Sequence, residues 1–170
     1  MFLLRDLPDR TILQRFAAQY PEMDITSTEA CLYLLKAAST LLIELEKHFA
    51  EYGISQARFL ALIILIREES GQLKPVDIAE KMGVSLKNTS RLLESMQQDQ
   101  LIQRTAHKTD KRASIVSATS KGEKILSLVL PKYYQIMNKM TAKLNAKDKV
   151  LFTDYLMHLD LDLSTPKITE

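Results

Sequence analysis

The chain has 170 residues, of which 46% are hydrophobic and 26% charged, the balance of an ordinary globular protein. A single cysteine excludes an intrachain disulfide, and three widely separated histidines offer no metal-ligand spacing. The longest apolar run, residues 59–66, is too short for a membrane span, and the N-terminus lacks a signal-peptide core. We therefore expect a cytoplasmic protein without a metal or other cofactor.

Two helices are predicted in the N-terminal part of the chain. The first begins near Pro8 and ends before Pro21, because the residue before a proline is disfavoured in a helix. The second is long and runs to about Tyr52, with Ser27 and Thr28 as the best candidates for its N-terminal cap. Both helices carry an apolar stripe.

Two shorter helices follow. Ser55 opens a helix that is apolar nearly all round, which predicts a position at the centre of the fold. Pro75 suits the first position of the next, short helix, although Lys74 before it is a poor cap. Gly83 then supplies a tight turn into a further helix over residues 84–98, so the segment predicts a helix-turn-helix.

The helix over residues 84–98 has two chemically different faces at 100° per residue. The side predicted to be buried holds Leu86, Thr89, Leu92, Leu93 and Met96. The opposite side holds Lys87, Asn88, Ser90, Arg91, Glu94, Ser95 and Gln98. Polar side chains are thus concentrated in the first two turns, the part of a recognition helix that enters the major groove of DNA.

The residue types on this polar face match the chemistry of DNA. Ser85 stands at the N-cap, where its hydroxyl can satisfy a free backbone N–H or face a phosphate. Asn88 can pair with adenine through two hydrogen bonds, and Lys87 or Arg91 can contact a guanine edge or a phosphate. Ser90 is small enough to allow a close approach.

A two-stranded wing is predicted after this helix. Arg104-Thr105 and Ile115-Val116 alternate as strands do, around a polar, basic loop. Arg112 is the best candidate for insertion into a narrow minor groove, and Asp110 is placed to hold its side chain extended. Lys108 and Lys111 are predicted to attract phosphates without sequence preference, and Arg104 is a further predicted DNA-binding residue of the wing.

The distribution of charge supports this interpretation more than its sum, which is only +2. Residues 85–124 contain eight bases and four acids, whereas the first thirty residues contain three bases and five acids. Positive charge is therefore concentrated where phosphates would require it.

The C-terminal part is predicted to be helical again. Thr119 or Ser120 can cap a helix that Pro131 should kink or break, and Asn145 or a neighbour starts a last helix. The final residues, 164–170, are predicted to be disordered. Long apolar stripes thus flank the central module on both sides, and a two-fold dimer built from both termini would bury them. Packing of the two stripes on each other within one chain is the alternative.

Taken together, these motifs resemble the MarR family of dimeric winged-helix transcription regulators. The resemblance rests on LKPVDIAEKMGVS, KNTSRLLESM, LIQR, the wing sequence TDKRA and TSKG at the start of the following helix. It implies a mainly α fold with a small β-wing, in which each winged lobe reads half of a pseudo-palindrome in double-stranded DNA. The family's recognition-helix positions fall on Ser85, Lys87, Asn88, Ser90 and Arg91, and its wing Asp-x-Arg pair falls on Asp110 and Arg112.

The resemblance also implies a division of labour along the chain. Residues 1–52 and 120–163 are expected to form the homodimer, and residues 53–119 the DNA-binding lobe. A small phenolic or anionic effector that releases the DNA is a further implied partner. The wing lacks the family's common proline and second arginine, so the shape of its loop is left open.

The only cysteine, Cys31, stands near the start of the long helix, which resembles the sensing cysteine of the family's hydroperoxide regulators. The tyrosines that assist such a thiol are replaced by Leu35 and Leu45, and an apolar setting lowers thiol reactivity. We therefore expect Cys31 to be an ordinary buried residue, with redox sensing as the alternative.

The function predicted from the sequence is that of a homodimeric DNA-binding regulator, a repressor without catalytic activity. One rival is a winged helix that docks a protein partner and never contacts DNA, since fold alone does not decide function. An enzyme is the weaker rival, because the sequence contains neither a recognisable catalytic constellation nor a Gly-rich phosphate loop.

Overall fold

The computed structural model describes residues 6–106 and 114–161. Within them the chain forms seven helices and three short strands. In chain order these are α1 (Arg10–Gln19), α2 (Ile25–Glu51), α3 (Gln56–Arg67), β1 (Gln72–Leu73), α4 (Pro75–Met82), α5 (Leu86–Gln98), β2 (Ile102–Ala106), β3 (Ser114–Ala118), α6 (Ser120–Met140) and α7 (Ala146–Met157). The predicted fold class, mainly helical with a small β-wing, is confirmed.

Helix starts follow the positions of short polar side chains. Ser55 and Asn145 cap α3 and α7 as predicted, each accepting a backbone N–H three residues later. The prediction that Ser27 or Thr28 caps α2 was wrong. Asp24 does so, with its Oδ1 accepting the N–H of Ser27 at 2.6 Å. Hydrogen bonds from Ser27 and Thr26 hold the pKa of this carboxyl below its usual value, so the cap is charged at neutral pH.

Pro131 does not break the helix that contains it. A proline removes one hydrogen bond and crowds the preceding turn, yet α6 continues to Met140. Contacts on both sides of the proline tie α6 to α2. The buried His48 donates from Nε2 to the carbonyl of Val129 at 2.9 Å, and Lys132 Nζ donates to both carboxylate oxygens of Glu51 at 2.7 Å. The hydrogen bond from Lys132 lowers the pKa of Glu51 below its ordinary value.

The core is centred on α3, as its apolar sequence predicts. Phe59, Ala61, Leu62, Ile64 and Leu65 are all buried. Around them lie fully buried side chains from the neighbouring elements, namely Phe49, Ile78, Leu93, Met96, Ile102, Val116, Leu126 and Val129. Helices before and after the wing therefore share one hydrophobic core with it.

The wing belongs to a three-stranded antiparallel sheet in the order β1-β3-β2. The register pairs Arg104 with Val116 and Ala106 with Ser114. The sequence predicted only two of the strands, because β1 is two residues long and shows no alternation. Its pairing of Leu73 with Val116 ties the segment before α4 to the base of the wing.

A close approach fixes the start of α6 against the segment that follows α5. A Cβ atom added to Gly122 would overlap the carbonyl oxygen of Leu101 and reach Leu62 at 3.0 Å. Only glycine allows this packing, so α6 begins in contact with the backbone of Leu101, between α5 and β2.

The described residues fall into two compact units, one ending at Ile136 and the other beginning at Met137. In the first unit, apolar side chains on α1 and α2 and at the C-cap of α1 are exposed, including Phe16, Tyr20, Tyr33 and Leu35. In the second, α7 has no buried residue at all. Among the described residues no single helix is long and apolar enough to cross a membrane, and α2 with α3 meets that test only as a pair bent by 83°.

Candidate nucleic-acid interface

A helix-turn-helix is built from α4 and α5. Gly83 ends α4 in the left-handed conformation, with φ of 65°, and the N–H of Val84 returns to the carbonyl of Ala79 at 3.1 Å. Lys74 offers no side-chain cap to α4, as its chemistry predicts. Asp77 compensates at this end, since its Oδ2 accepts the backbone N–H of Lys74 at 3.2 Å.

One face of α5 is held firmly in the core. Thr89, Leu93 and Met96 are fully buried and Leu92 is half-buried. The prediction that Leu86 joins them was wrong, because its side chain is 50% exposed. Side chains on a helix lean toward its N-terminus, so the side chain of the first residue extends past the helix end, where α5 has no earlier turn to pack against it.

The opposite face presents the predicted reading residues together. Ser85, Lys87, Asn88 and Arg91 are exposed and Ser90 is half-buried, all within the first two turns. Ser85 acts as the N-cap, with its hydroxyl accepting the N–H of Asn88 at 3.4 Å. This end of α5 therefore combines a fixed backbone with a polar, cationic surface.

The other end of α5 is anchored by charged side chains from two other helices. Arg58 of α3 donates from Nη2 to Ser95 Oγ and to Asp99 Oδ2, both at 2.6 Å. Lys121 of α6 donates from Nζ to the carbonyl of Asp99 at 2.8 Å. Thr119 donates to the carbonyl of Gln100 at 2.6 Å, where the chain reverses with φ of 60°. The free carbonyls at the helix end thus find donors.

Sequence reasoning missed this anchor. Ser95 was predicted to be solvent-exposed, whereas it is half-buried against Arg58. The signal that could have indicated the anchor is Asp99, because an acid at the C-terminus of a helix is unfavourable unless a cation lies nearby.

Arg104 lies at the junction between the wing and α5. It is half-buried on β2, and its Nη2 donates to the carbonyl of Ser90 at 3.4 Å. Its Nε atom is buried without a partner in the described part of the chain. The guanidinium therefore contacts the exposed end of α5, which links the strand to the predicted reading surface.

The other predicted wing residues, Lys108, Asp110, Lys111 and Arg112, lie outside the described residues. The strands that lead to and from them are described, and their pairing ends at Ala106 and Ser114.

A cleft of about 170 Å³ lies beside the anchored end of α5. It is lined by Tyr52, Gly53, Ile54, Arg58, Asp99, Leu101, Lys121 and Ile125. His48 and Phe59, which are buried in the core, and Tyr33, which is exposed on α2, do not line it.

Cys31 is exposed on α2, so the expectation of a buried thiol was wrong for the single chain. Leu35, one turn later on α2, is exposed too, so Cys31 lies on a face of α2 that the single chain leaves exposed. Across residues 6–106 and 114–161, no group of three His, Cys, Asp or Glu side chains could hold a metal ion.

Comparison with known proteins agrees with this geometry. Residues 54–114 match the model of the MarR family. The transcriptional repressor YetL of Bacillus subtilis is 26% identical over 164 residues, covering 96% of this chain and 98% of its own. The repressor MprA of Escherichia coli is 26% identical over 130 residues, covering 76% of this chain and 72% of its own.

A solved structure shares the fold. The MarR family regulator AbsC from Streptomyces coelicolor superposes with a TM-score of 0.73 at 20% identity, covering 80% of this chain and 92% of that one. The matched segment spans the helix-turn-helix, β2 and the start of β3, the elements that carry the predicted reading surface. The chain therefore resembles the MarR family in sequence over residues 54–114 and shares the fold of a MarR family regulator over most of its length.

Proposed function

We propose that this protein is a homodimeric, sequence-specific DNA-binding repressor that acts on a pseudo-palindromic operator. The observation that carries the proposal is the exposed end of α5, where Lys87, Asn88 and Arg91 face outward while Thr89 and Leu93 hold the same turns in the core. YetL and MprA, two relatives along most of the chain, are transcriptional repressors. A rigid helix with polar side chains on its first turns is what major-groove reading requires.

Each side chain has a distinct role in this proposal. Asn88 pairs with adenine, and Arg91 pairs with a guanine edge or a phosphate through its planar fork. Lys87 supplies a point charge for a guanine or a phosphate. Ser85 faces a phosphate while capping the helix, and Ser90 lets the backbone approach the base edges.

The wing contributes mainly through the phosphate backbone and the minor groove. Arg112 enters the minor groove and Asp110 holds it extended, while Lys108 and Lys111 contact phosphates. Arg104 contributes from the junction of the wing with α5, where its Nη2 donates to the carbonyl of Ser90.

Dimerisation is proposed through residues 1–52 and 120–163. Each of the two compact units exposes apolar side chains that a monomer leaves in water, for example Phe16 on α1 and Tyr155 on α7. A two-fold partner would bury such surfaces and place two lobes on successive half-sites. A small phenolic or anionic effector would release the DNA by acting on the spacing of those lobes.

The protein acts by binding rather than by catalysis in this proposal, and it works in the cytoplasm, where a bacterial or archaeal chromosome is located.

Cys31 makes a redox-sensing regulator the second candidate, because its thiol is exposed in the single chain. Peroxide treatment that abolishes DNA binding in the wild type, but not in Cys31→Ser, would support that second candidate.

Binding to duplex DNA of random sequence at increasing salt tests the proposal. We expect a dissociation constant of about 10⁻⁴–10⁻⁶ M at physiological salt, with an affinity that falls linearly on logarithmic axes. Absence of salt-dependent binding would favour the protein-docking rival, in which the winged helix contacts a protein partner instead.

A further inference from the structure

Two aliphatic side chains stand among the polar residues at the exposed end of α5. Leu86, the first residue of the helix, is 50% exposed, and Val84, two residues earlier, is 42% exposed. They flank the capping residue Ser85 and precede Lys87 and Asn88, which are exposed as well. The surface that is expected to meet DNA is therefore partly apolar.

The packing of the lobe does not explain a leucine at position 86. The buried face of α5 is formed by Thr89, Leu93 and Met96, which are fully buried without help from the first turn. Leu86 lies on the same edge as Ser90, one turn later, and Ser90 is short. Because side chains lean toward the N-terminus of a helix, the leucine side chain extends past the end of α5, where Ser85 and Lys87 are also exposed.

The major groove contains one apolar group, the C5-methyl group of thymine. Cations at Lys87 and Arg91 favour the approach of the DNA backbone, and the carboxamide of Asn88 has its best partner in adenine. A leucine beside such an asparagine is complementary to a step that presents adenine and a thymine methyl side by side. DNA is thus the occupant that fits both the charge and the apolar surface.

We propose that Leu86 is a specificity-determining residue whose side chain contacts the methyl group of a thymine in each half-site. This inference rests on the proposed function and adds to it one defined chemical group of the operator, a thymine methyl. Leu86 contributes discrimination for thymine, whereas the polar residues around it contribute hydrogen bonds and phosphate attraction.

Replacement of thymine by uracil tests the inference, because it removes the methyl group and leaves the base pair intact. The probe is the duplex that the full-length protein binds most tightly from a random pool, with each thymine replaced singly by uracil. For the wild type we expect one position in each half-site at which uracil weakens binding about fourfold, the effect of burying one methyl group. In Leu86→Ala the thymine and uracil duplexes should bind equally at that position.

Ile66→Ala is the matched control, because Ile66 is 41% exposed on α3 and lies outside both the predicted reading surface and the segments assigned to dimerisation. It should retain the full uracil effect. Alanine is a good helix former, so Leu86→Ala is expected to keep α5 intact, which circular dichroism and size-exclusion chromatography verify.

The inference is overturned if no uracil position weakens wild-type binding, or if Leu86→Ala keeps the thymine preference. Loss of the preference in Val84→Ala but not in Leu86→Ala would overturn it too, by assigning the contact to Val84. Sequence-selective binding without a thymine contact removes only this inference. Failure to select any sequence removes the proposed function and this inference together.

Discussion

The two ends of α5 differ in how much the rest of the protein contacts them. At the C-terminal end, Arg58, Lys121 and Thr119 donate hydrogen bonds to side-chain and backbone acceptors between Ser95 and Gln100. At the N-terminal end, Lys87 and Arg91 extend into solvent. One end of the helix is attached to two other helices, and the other is left to meet a partner.

This difference indicates how the lobe fixes the orientation of α5 before DNA binds. A reading helix that moved would lose conformational entropy on binding, whereas one that is already fixed loses little. Polar anchoring at Asp99 fixes the helix without placing further apolar residues on its exposed turns. The same division separates two kinds of substitution, those that affect stability and those that affect DNA binding.

The largest effect is expected for a core leucine of α5. Leu93→Ala should lower the free energy of unfolding by about 2–5 kcal/mol, because it removes a fully buried side chain and leaves a cavity. Leu86→Ala on the same helix should change it by no more than about 0.5 kcal/mol, as for other exposed positions. Urea denaturation measures both variants. Equal losses would contradict the assignment of the two faces.

The next effect concerns DNA affinity without a change in stability. Arg91→Ala should weaken binding to the selected duplex by about 1–3 kcal/mol, the contribution of a two-point contact with guanine. Arg67→Ala is the control, because Arg67 is an exposed arginine at the end of α3, outside the predicted reading surface. Fluorescence anisotropy measures the affinity of both variants for the selected duplex. Normal binding by Arg91→Ala would remove this residue from the interface.

A smaller effect is expected at the anchored end. In a double-mutant cycle, Arg58→Gln and Asp99→Asn should show a coupling of about 0.5–1 kcal/mol in unfolding, a low value because Asp99 is half exposed to solvent. Each variant should also lower the ratio of specific to unspecific DNA binding, since the helix loses its fixed orientation. Additive effects in the cycle would show that the anchor does not act as a pair.

The smallest effect is expected at the cap. Ser85→Ala should lower the free energy of unfolding by about 0.5 kcal/mol, the low end for such caps, because the hydrogen bond from the backbone N–H of Asn88 is long at 3.4 Å. Ser85→Asp should restore stability but weaken DNA binding, since it places a negative charge at a phosphate position. Preserved DNA binding in Ser85→Asp would exclude a phosphate contact at this residue.

The sequence predicted those parts of the structure that depend on periodicity and on local turn chemistry. The two faces of α5, the cap at Ser85 and the turn at Gly83 follow from residue types within a few positions, and the structure confirms them. Leu86 was misassigned because periodicity treats the first turn like the others, although a helix end has no preceding turn to pack against.

Features that depend on distant parts of the chain were not predictable in the same way. The anchor between Arg58 and Asp99 joins residues 41 positions apart, and the continuity of α6 through Pro131 depends on contacts with α2. Strand β1 forms because β3 offers it a pairing edge, not because its two residues favour a strand. The residue roles on the exposed end of α5 and in the wing remain predictions.

The most direct test of the central claim compares two duplexes of equal length and composition. One is the sequence selected from a random pool and the other is a scrambled version, and the affinity of the protein for each is measured at several salt concentrations. If the exposed end of α5 reads bases, the selected duplex should bind at least about 10³-fold more tightly at physiological salt. Equal affinities for both duplexes would contradict the account.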